Sequence, residues 1–238
     1  MYPPKKIIRK IIRKLLILFG IRKIYHALRY YFYSKTMVFL NRKRDGFIYT
    51  HDDYFRLSSL ELVAYEIKEK NIPGSVAELG VYKGGFAKYI NISFPDRKLF
   101  LFDTFEGFPE KDRLKDVEKG FSSQKKGHLS QTSVELVMSK MKYPENCIVK
   151  KGYFPETAKD VDEYFVFVSI DTDLFDPIYN GLSFFYPRLQ PGGYIFVHDY
   201  GFDVKYTGAK AAIKKYTEEN KIPYFPLSDK WGSVVIMK

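Results

Sequence analysis

The chain has a single cysteine, Cys147, among its 238 residues. One thiol excludes an intramolecular disulfide and any cysteine-rich zinc centre, and a reducing cytoplasm is the simpler expectation. No apolar run approaches the roughly 20 residues that a spanning helix needs. The basic N-terminal segment has at most Leu15 to Ile21 without a charge, and no small-residue cleavage site follows, so a secretory leader is not expected. Acid is nearly absent from residues 1 to 46, where thirteen Lys and Arg face only Asp45. That segment carries +12 against +11 for the whole chain, which leaves −1 for the remainder. A Gly-x-Ser-x-Gly elbow and a Cys/His pair are also missing, which disfavours hydrolase chemistry.

Aromatic residues are abundant instead. Twenty Tyr and 21 Phe within a composition 45% hydrophobic supply a sizeable core and exclude a disordered chain. The length fits one domain with an extension: an arm over 1–46 and a folded body over 47–238.

In the arm, Ile7, Ile8, Ile11, Ile12, Leu15, Leu16 and Phe19 recur at spacings of three and four, with lysines and arginines between them. This pattern predicts a cationic amphipathic helix. Such a helix suits the interface of an anionic leaflet, where each basic residue contributes about 1 kcal/mol. Packing on the body or on a second copy of the chain is the plainer alternative. A basic RNA-binding module is a third, but the charge is confined to the arm and the body is nearly neutral, so no nucleic-acid partner is expected.

The body alternates strand and helix patterns. Ser58 with Glu61, and Thr132 with Glu135, read as capping boxes opening two helices. Apolar runs at "SVAEL", "KLFLFD", "NCIVKK", "YFVFVSID" and "YIFVHD" read as strands, and "PYFPL" and "SVVIMK" as a closing hairpin. Residues 104 to 127 show no periodicity and read as a long loop of the kind that serves as a lid. The pattern predicts an α/β fold whose parallel sheet is covered on both faces.

Ligands bind such sheets beyond the carboxyl ends of the strands, and four of these strands end near an acid: Glu78, Asp103, Asp171 and Asp199. The first turn, "ELGVYKGGF", places Gly80, Gly84 and Gly85 between strand and helix, where the backbone can approach a ligand. It matches neither the dinucleotide fingerprint nor the phosphate loop. Asp103, about 20 residues further on, can accept hydrogen bonds from both hydroxyls of a ribose. A nucleoside-containing cofactor without a diphosphate cradle is indicated. A nucleotide-sugar or dinucleotide enzyme on the same sheet edge is the rival reading.

The segments "VAELGVYKGGFA", "LFLFDTFEGFPE", "KGYFPET", "VSIDTDLFDPIYNGLSFFYPRLQPGGYIFVHDYG" and "GAKAAIKKY" together resemble the macrocin O-methyltransferase family of class I S-adenosylmethionine-dependent methyltransferases. The resemblance covers roughly residues 57 to 238. It implies a Rossmann-like fold with a mostly parallel seven-stranded sheet, a C-terminal antiparallel hairpin and helices on both faces. It also implies methylation of a sugar hydroxyl. Glu78, Gly80, Lys83, Gly84 and Gly85 would hold the methionine end of S-adenosylmethionine, and Asp103 its ribose. A divalent cation, Mg2+ or Mn2+, would be held by Asp171, His198 and Asp199. His198 departs from the aspartate usual in the family, and imidazole suits Zn, Mn or Fe better than Mg.

A sugar hydroxyl is a weak nucleophile whose proton must leave as it attacks; Asp173 is the candidate base, with Asp171 orienting the acceptor. Asp176, directly before Pro177, reads as a cap of the following helix. The "HDD" at 51–53 and His128 read as loop residues. A glycan, glycolipid or glycosylated natural product is the expected acceptor. The arm suggests a cytoplasmic protein peripheral to the inner face of the membrane, and a homo-oligomer is compatible with it. Deleting residues 2–24 is expected to abolish co-sedimentation with anionic liposomes; equal sedimentation of the truncated chain removes the membrane reading.

Overall fold

A computed structural model describes residues 53–201 and 207–238. The arm, its boundary near residue 46, His51 and Asp52 lie outside the described residues. The chain divides into Met1–Ser58 and Ser59–Lys238, and the sheet belongs wholly to the second unit. Among the described residues no helix is long and apolar enough to cross a membrane.

Seven strands form one sheet: β1 Ser75–Leu79, β2 Leu99–Asp103, β3 Cys147–Lys151, β4 Phe165–Ile170, β5 Leu189–Val197, β6 Tyr224–Leu227 and β7 Ser233–Met237. Their order is β3-β2-β1-β4-β5-β7-β6. The first five are parallel, and β7 pairs antiparallel with β5 and with β6. The order reverses between β1 and β4, so the carboxyl ends of these two strands open the crevice in which a ligand binds. Every residue of β1 and β4 is buried, as the continuous apolar runs require of strands covered on both faces.

Helices α1 Tyr54–Glu69, α2 Ala87–Ser93, α3 Glu110–Glu118, α4 Val134–Met138, α5 Phe175–Phe185 and α6 Thr207–Asn220 complete the described fold. Leu60, Ala64 and Ile67 of α1, Ala87 and Ile90 of α2 and Val137 of α4 share one core with Val76, Leu101 and Phe196. Ile178, Leu182 and Phe185 of α5 and Ala209, Ala212 and Ile213 of α6 share the other with Leu79, Phe102 and Val168. The second core is built on phenylalanine rings: Phe185 meets Phe102 edge-on at 5.8 Å and Phe165 at 5.1 Å, and stacks on Phe154 at 5.9 Å. Each such buried ring contributes about 1.5–3 kcal/mol.

Several local details differ from the sequence expectation. Ser58 lies inside α1, with its hydroxyl donating to Phe55 O at 3.2 Å, so it is not a cap. Ser133, not Thr132, caps α4 by accepting from Leu136 N–H at 3.1 Å; the Thr132 hydroxyl instead donates to Tyr82 O. The "QPGG" stretch is absorbed into β5, where the pairing register with β4 shifts.

The larger correction concerns residues 104 to 127, which contain α3 and are not a plain loop. This helix is inverted: Asp112 and Asp116 are buried, whereas Leu114 and Val117 are exposed. Helical periodicity of apolar residues therefore could not reveal it. Asp116 Oδ2 accepts the backbone N–H of Phe175 at 3.1 Å, which caps α5 from another helix. Leu174, at the N-cap position, has no side chain able to do so. Asp176 sits in the first turn of α5 and pairs with Lys115 at 2.5 Å. Phe121 stacks on Phe175 at 5.7 Å and finishes the seam.

Burial is the main cause that pushes the Asp116 carboxyl from 3.8 up to about 6, partly opposed by the Phe175 N–H. A carboxyl whose folded pKa is raised binds more protons folded than unfolded between those values, so stability is lost as pH rises through that window. The penalty is absent below about 3.8 and complete above about 6. Urea unfolding should show wild type losing roughly 2–3 kcal/mol relative to Asp116→Asn between about pH 4 and about pH 7, at about 1.4 kcal/mol per pKa unit. A pH-independent difference between the two proteins would refute the buried-carboxyl account.

Candidate active site

The turn after β1 brings backbones closer than side chains allow. Gly80 has φ +89°, and a Cβ there would lie 2.0 Å from Asp171 O. Its N–H donates to Phe102 O at 2.9 Å, and Asp171 N–H donates to Leu79 O at 2.8 Å. Only glycine permits this conformation and this approach at once. Gly84, at φ +69°, faces Val137 of α4, whereas a Cβ on Gly85 would meet nothing.

A cleft opens beside this crossing. Gly80, Tyr82, Asp103, Asp171, Thr172 and Asp173 are among its lining residues. Asp103 Oδ2 accepts Tyr82 N–H at 2.7 Å and Oδ1 accepts Phe105 N–H at 2.6 Å. The carboxylate thus ties the glycine turn to the end of β2. About four lone-pair sites on a carboxylate leave room for two ligand hydroxyls.

Of the six residues expected to hold a cofactor, Gly80 and Asp103 line the cleft. Glu78 is buried within β1, and Lys83, Gly84 and Gly85 lie in the turn without lining the cavity. Lys83 rests over the Tyr82 ring at 5.1 Å, and its carbonyl accepts from Lys140.

The residues expected to hold a metal do converge. His198 Nδ1 is 3.1 Å from Asp171 Oδ1 and 3.1 Å from Asp199 Oδ1. One ligand atom from each of the three lies within 4.8 Å of the others. Asp171 and His198 follow directly on β4 and β5, so the sheet itself sets their separation. His198 N–H donates to Ile170 O at 2.9 Å, which continues the β4–β5 pairing to the edge of the site.

Asp173, the expected base, joins the cluster through a hydrogen bond with the Asp199 carboxyl. Both residues take left-handed backbone, φ 62° each, which is uncommon outside glycine and costs about 1 kcal/mol or more per residue. Desolvation first, then the charges of Asp199 and Asp171, hold the Asp173 carboxyl well above the usual carboxylate range. Two carboxyls in contact share a proton in preference to ionising together. A positive charge brought to the cluster shifts that balance toward ionisation.

Asp112, Tyr153, Phe108 and Leu174 also line the cleft and were not identified from the sequence. Asp112 sits on the inverted helix. Tyr153 lies within "KGYFPET", so its neighbourhood was legible but not its direction.

The doubly wound sheet, its antiparallel hairpin and the acid-lined crevice define the Rossmann-like fold of the class I methyltransferases. The macrocin-O-methyltransferase family matches residues 36–232, and the chain belongs to that family. Transfer of a methyl group to oxygen is the reaction class its site serves. The chain is 27% identical over 183 residues to mycinamicin III 3''-O-methyltransferase of Micromonospora griseorubida, covering 70% of this chain and 69% of that one. It is 25% identical to demethyldecarbamoylnovobiocin O-methyltransferase of Streptomyces niveus, covering 61% and 60%. The chain thus spans about two thirds or less of the length of these relatives. Among solved structures, the O-methyltransferase NovP superposes with a TM-score of 0.63 at 21% identity, covering 78% of this chain and 80% of that one.

Gly80→Ala is expected to destabilise the protein by on the order of 3 kcal/mol or more, since backbone and not a movable side chain blocks the added methyl. Differential scanning calorimetry should show the melting temperature falling by roughly 10 °C. An unchanged melting temperature would mean that the crossing is not as tight as drawn.

Proposed function

We propose that the protein transfers a methyl group from S-adenosylmethionine to a hydroxyl of a sugar, with a divalent cation held by Asp171, His198 and Asp199. The observation that carries this reading is the convergence of those three residues and Asp173 at one end of a cleft whose other wall carries Asp103. The donor set fits a cation: two carboxylates and an imidazole within reach of one point, a mixture that suits Mn2+ or Zn2+ as well as Mg2+. The names of the relatives support the acceptor class; one methylates a rhamnosyl-tetracenomycin at the 4' position.

Bound S-adenosylmethionine supplies a sulfonium methyl that is electrophilic without further activation. A divalent cation would supply Lewis acidity to polarise the acceptor hydroxyl and stabilise the ionised form of the surrounding carboxylates. Asp103 receives the ribose hydroxyls, and Gly80, lacking a side chain, lets the backbone approach the methionine portion. Lys83, Gly84 and Gly85 hold the turn that carries it, and Glu78 anchors the strand behind it. Asp171 orients the acceptor. Asp173 takes the hydroxyl proton as the oxygen attacks, so that the new O–CH3 bond forms while the C–S bond breaks.

Desolvation and the charges of Asp199 and Asp171 favour the protonated form of the Asp173 carboxyl, and a cation held by Asp171, His198 and Asp199 would favour its ionised form. A lipid-linked or surface glycan is the acceptor that a cationic arm on the inner face of the membrane would serve.

Calorimetric titration with S-adenosylhomocysteine, in EDTA and then in Mg2+ or Mn2+, tests the cofactor, and Asp103→Ala should weaken binding. Asp173→Asn should leave that affinity within about twofold while lowering turnover of a sugar acceptor by roughly 10²–10⁴, the usual contribution of a general base. Turnover retained by Asp173→Asn assigns the proton to another group.

A further inference from the structure

The chain beyond residue 46 is nearly neutral, +11 less +12, yet its lysines are not evenly spread. Lys83 of the glycine turn, Lys88 of α2, and Lys140 and Lys142 just beyond α4 form one group. Their segments are bonded to one another. Lys140 Nζ donates to Lys83 O, and the Thr132 hydroxyl donates to Tyr82 O. The buried Asn91 of α2 accepts Tyr143 N–H at 2.8 Å and donates to Tyr143 O at 2.9 Å. The four ammonium groups are therefore carried on one frame and not on independent loops.

None of the four pairs with a carboxylate among the described residues. Glu78, the acid nearest to Lys83 in the chain, is buried in β1, and Glu135 lies in the first turn of α4, at the end away from Lys140. Desolvation first, then the charges of Lys88 and Lys83, hold the Lys140 ammonium below its ordinary pKa. Like charges gathered without a counter-charge repel one another, and an anion from outside the chain relieves that repulsion.

The aromatic residues of this face indicate which anion. Lys83 lies over the Tyr82 ring at 5.1 Å, Lys88 over Tyr89 at 4.7 Å and Lys142 over Tyr143 at 5.3 Å. Leu136 of α4, four residues before Lys140, is 38% exposed. A free phosphate would use the lysines but neither the rings nor the leucine. A bilayer surface uses all of them, since tyrosine rings sit at headgroup level and lysine stems lie along apolar surface while their ammonium groups meet lipid phosphates. Tyr82 also lines the cleft, so this face borders it.

We propose that the lysine–tyrosine face formed by the glycine turn, α2 and the end of α4 adsorbs to an anionic bilayer and sets the cleft beside it. This contact is made by the body itself, separately from any made by residues 1–46, and it does not rest on the methyl-transfer reading.

The test is co-sedimentation of the full chain with phosphatidylcholine vesicles, with and without phosphatidylglycerol. Wild type should bind the anionic vesicles and not the neutral ones. Lys83→Gln, Lys88→Gln and Lys142→Gln combined leave the Lys140 bond to the turn in place. They should lower the partition coefficient at least about tenfold, since each lysine near an anionic surface contributes about fivefold. Lys210→Gln, Lys214→Gln and Lys215→Gln combined remove the same charge from α6, which packs on the other core, and should lower it about threefold or less. The melting temperature of each variant shows that it is folded; Lys88→Gln alone, with a loss of about fivefold, replaces the patch variant if that one is not. Equal losses from the two triple variants reduce the effect to net charge and overturn the proposal. Undiminished binding by the folded patch variant assigns adsorption to residues outside the patch and overturns it as well, as does wild type that binds neither vesicle or binds both alike.

Discussion

Four backbone hydrogen bonds run along the carboxyl edge of the sheet, each made by a residue at the exit of one strand to the end of its neighbour. Gly152 N–H donates to Asp103 O at 3.0 Å, Gly80 to Phe102 O at 2.9 Å, Asp171 to Leu79 O at 2.8 Å and His198 to Ile170 O at 2.9 Å. They carry the register of β3, β2, β1, β4 and β5 past the ends of the strands and into the functional residues. Asp103, Asp171 and His198 are consequently placed by the sheet and not by mobile loops. Gly80 permits the tightest of these crossings, because the carbonyl of Asp171 occupies the space that its side chain would need. Positions built on strands are more exact than positions built on loops, and in-line methyl transfer depends on that accuracy.

Concentrating acids at this edge has an electrostatic cost, and two devices lower it. Asp103 spends both oxygens on backbone N–H groups, which replace part of the solvation it loses. Asp173 and Asp199 are joined by a hydrogen bond, and desolvation with the neighbouring charges holds the Asp173 carboxyl above the usual carboxylate range. His198 stands between Asp171 and Asp199 and contributes a ring nitrogen to the cluster where a third carboxylate would deepen the repulsion.

The connection between β2 and α4 shows a different balance. Its helix hides two aspartates and exposes Leu114 and Val117, against the usual economy of burial. One aspartate caps α5, the other faces the cleft, and Lys115 pairs with Asp176 at the solvent side of the same seam.

Composition and periodicity were sufficient for the strands, the hairpin and the acids at strand ends, since apolar runs and strand exits are local properties of the chain. "SVAEL" coincides with β1, and the run from Asp171 to Tyr200 contains the residues that converge at the end of the cleft. The sequence by itself also determined which family the protein resembles and where its charge is concentrated. The tertiary structure alone decided that α3 is a helix, that Asp116 and not Asp176 caps α5, that Asp173 meets Asp199, and that Asp112 lines the cleft. Each of these depends on partners 26 or more residues away or on an inverted helix face, and neither leaves a trace in local hydrophobic pattern. Only closure of the sheet brings such groups within hydrogen-bonding distance, where burial then sets their chemistry.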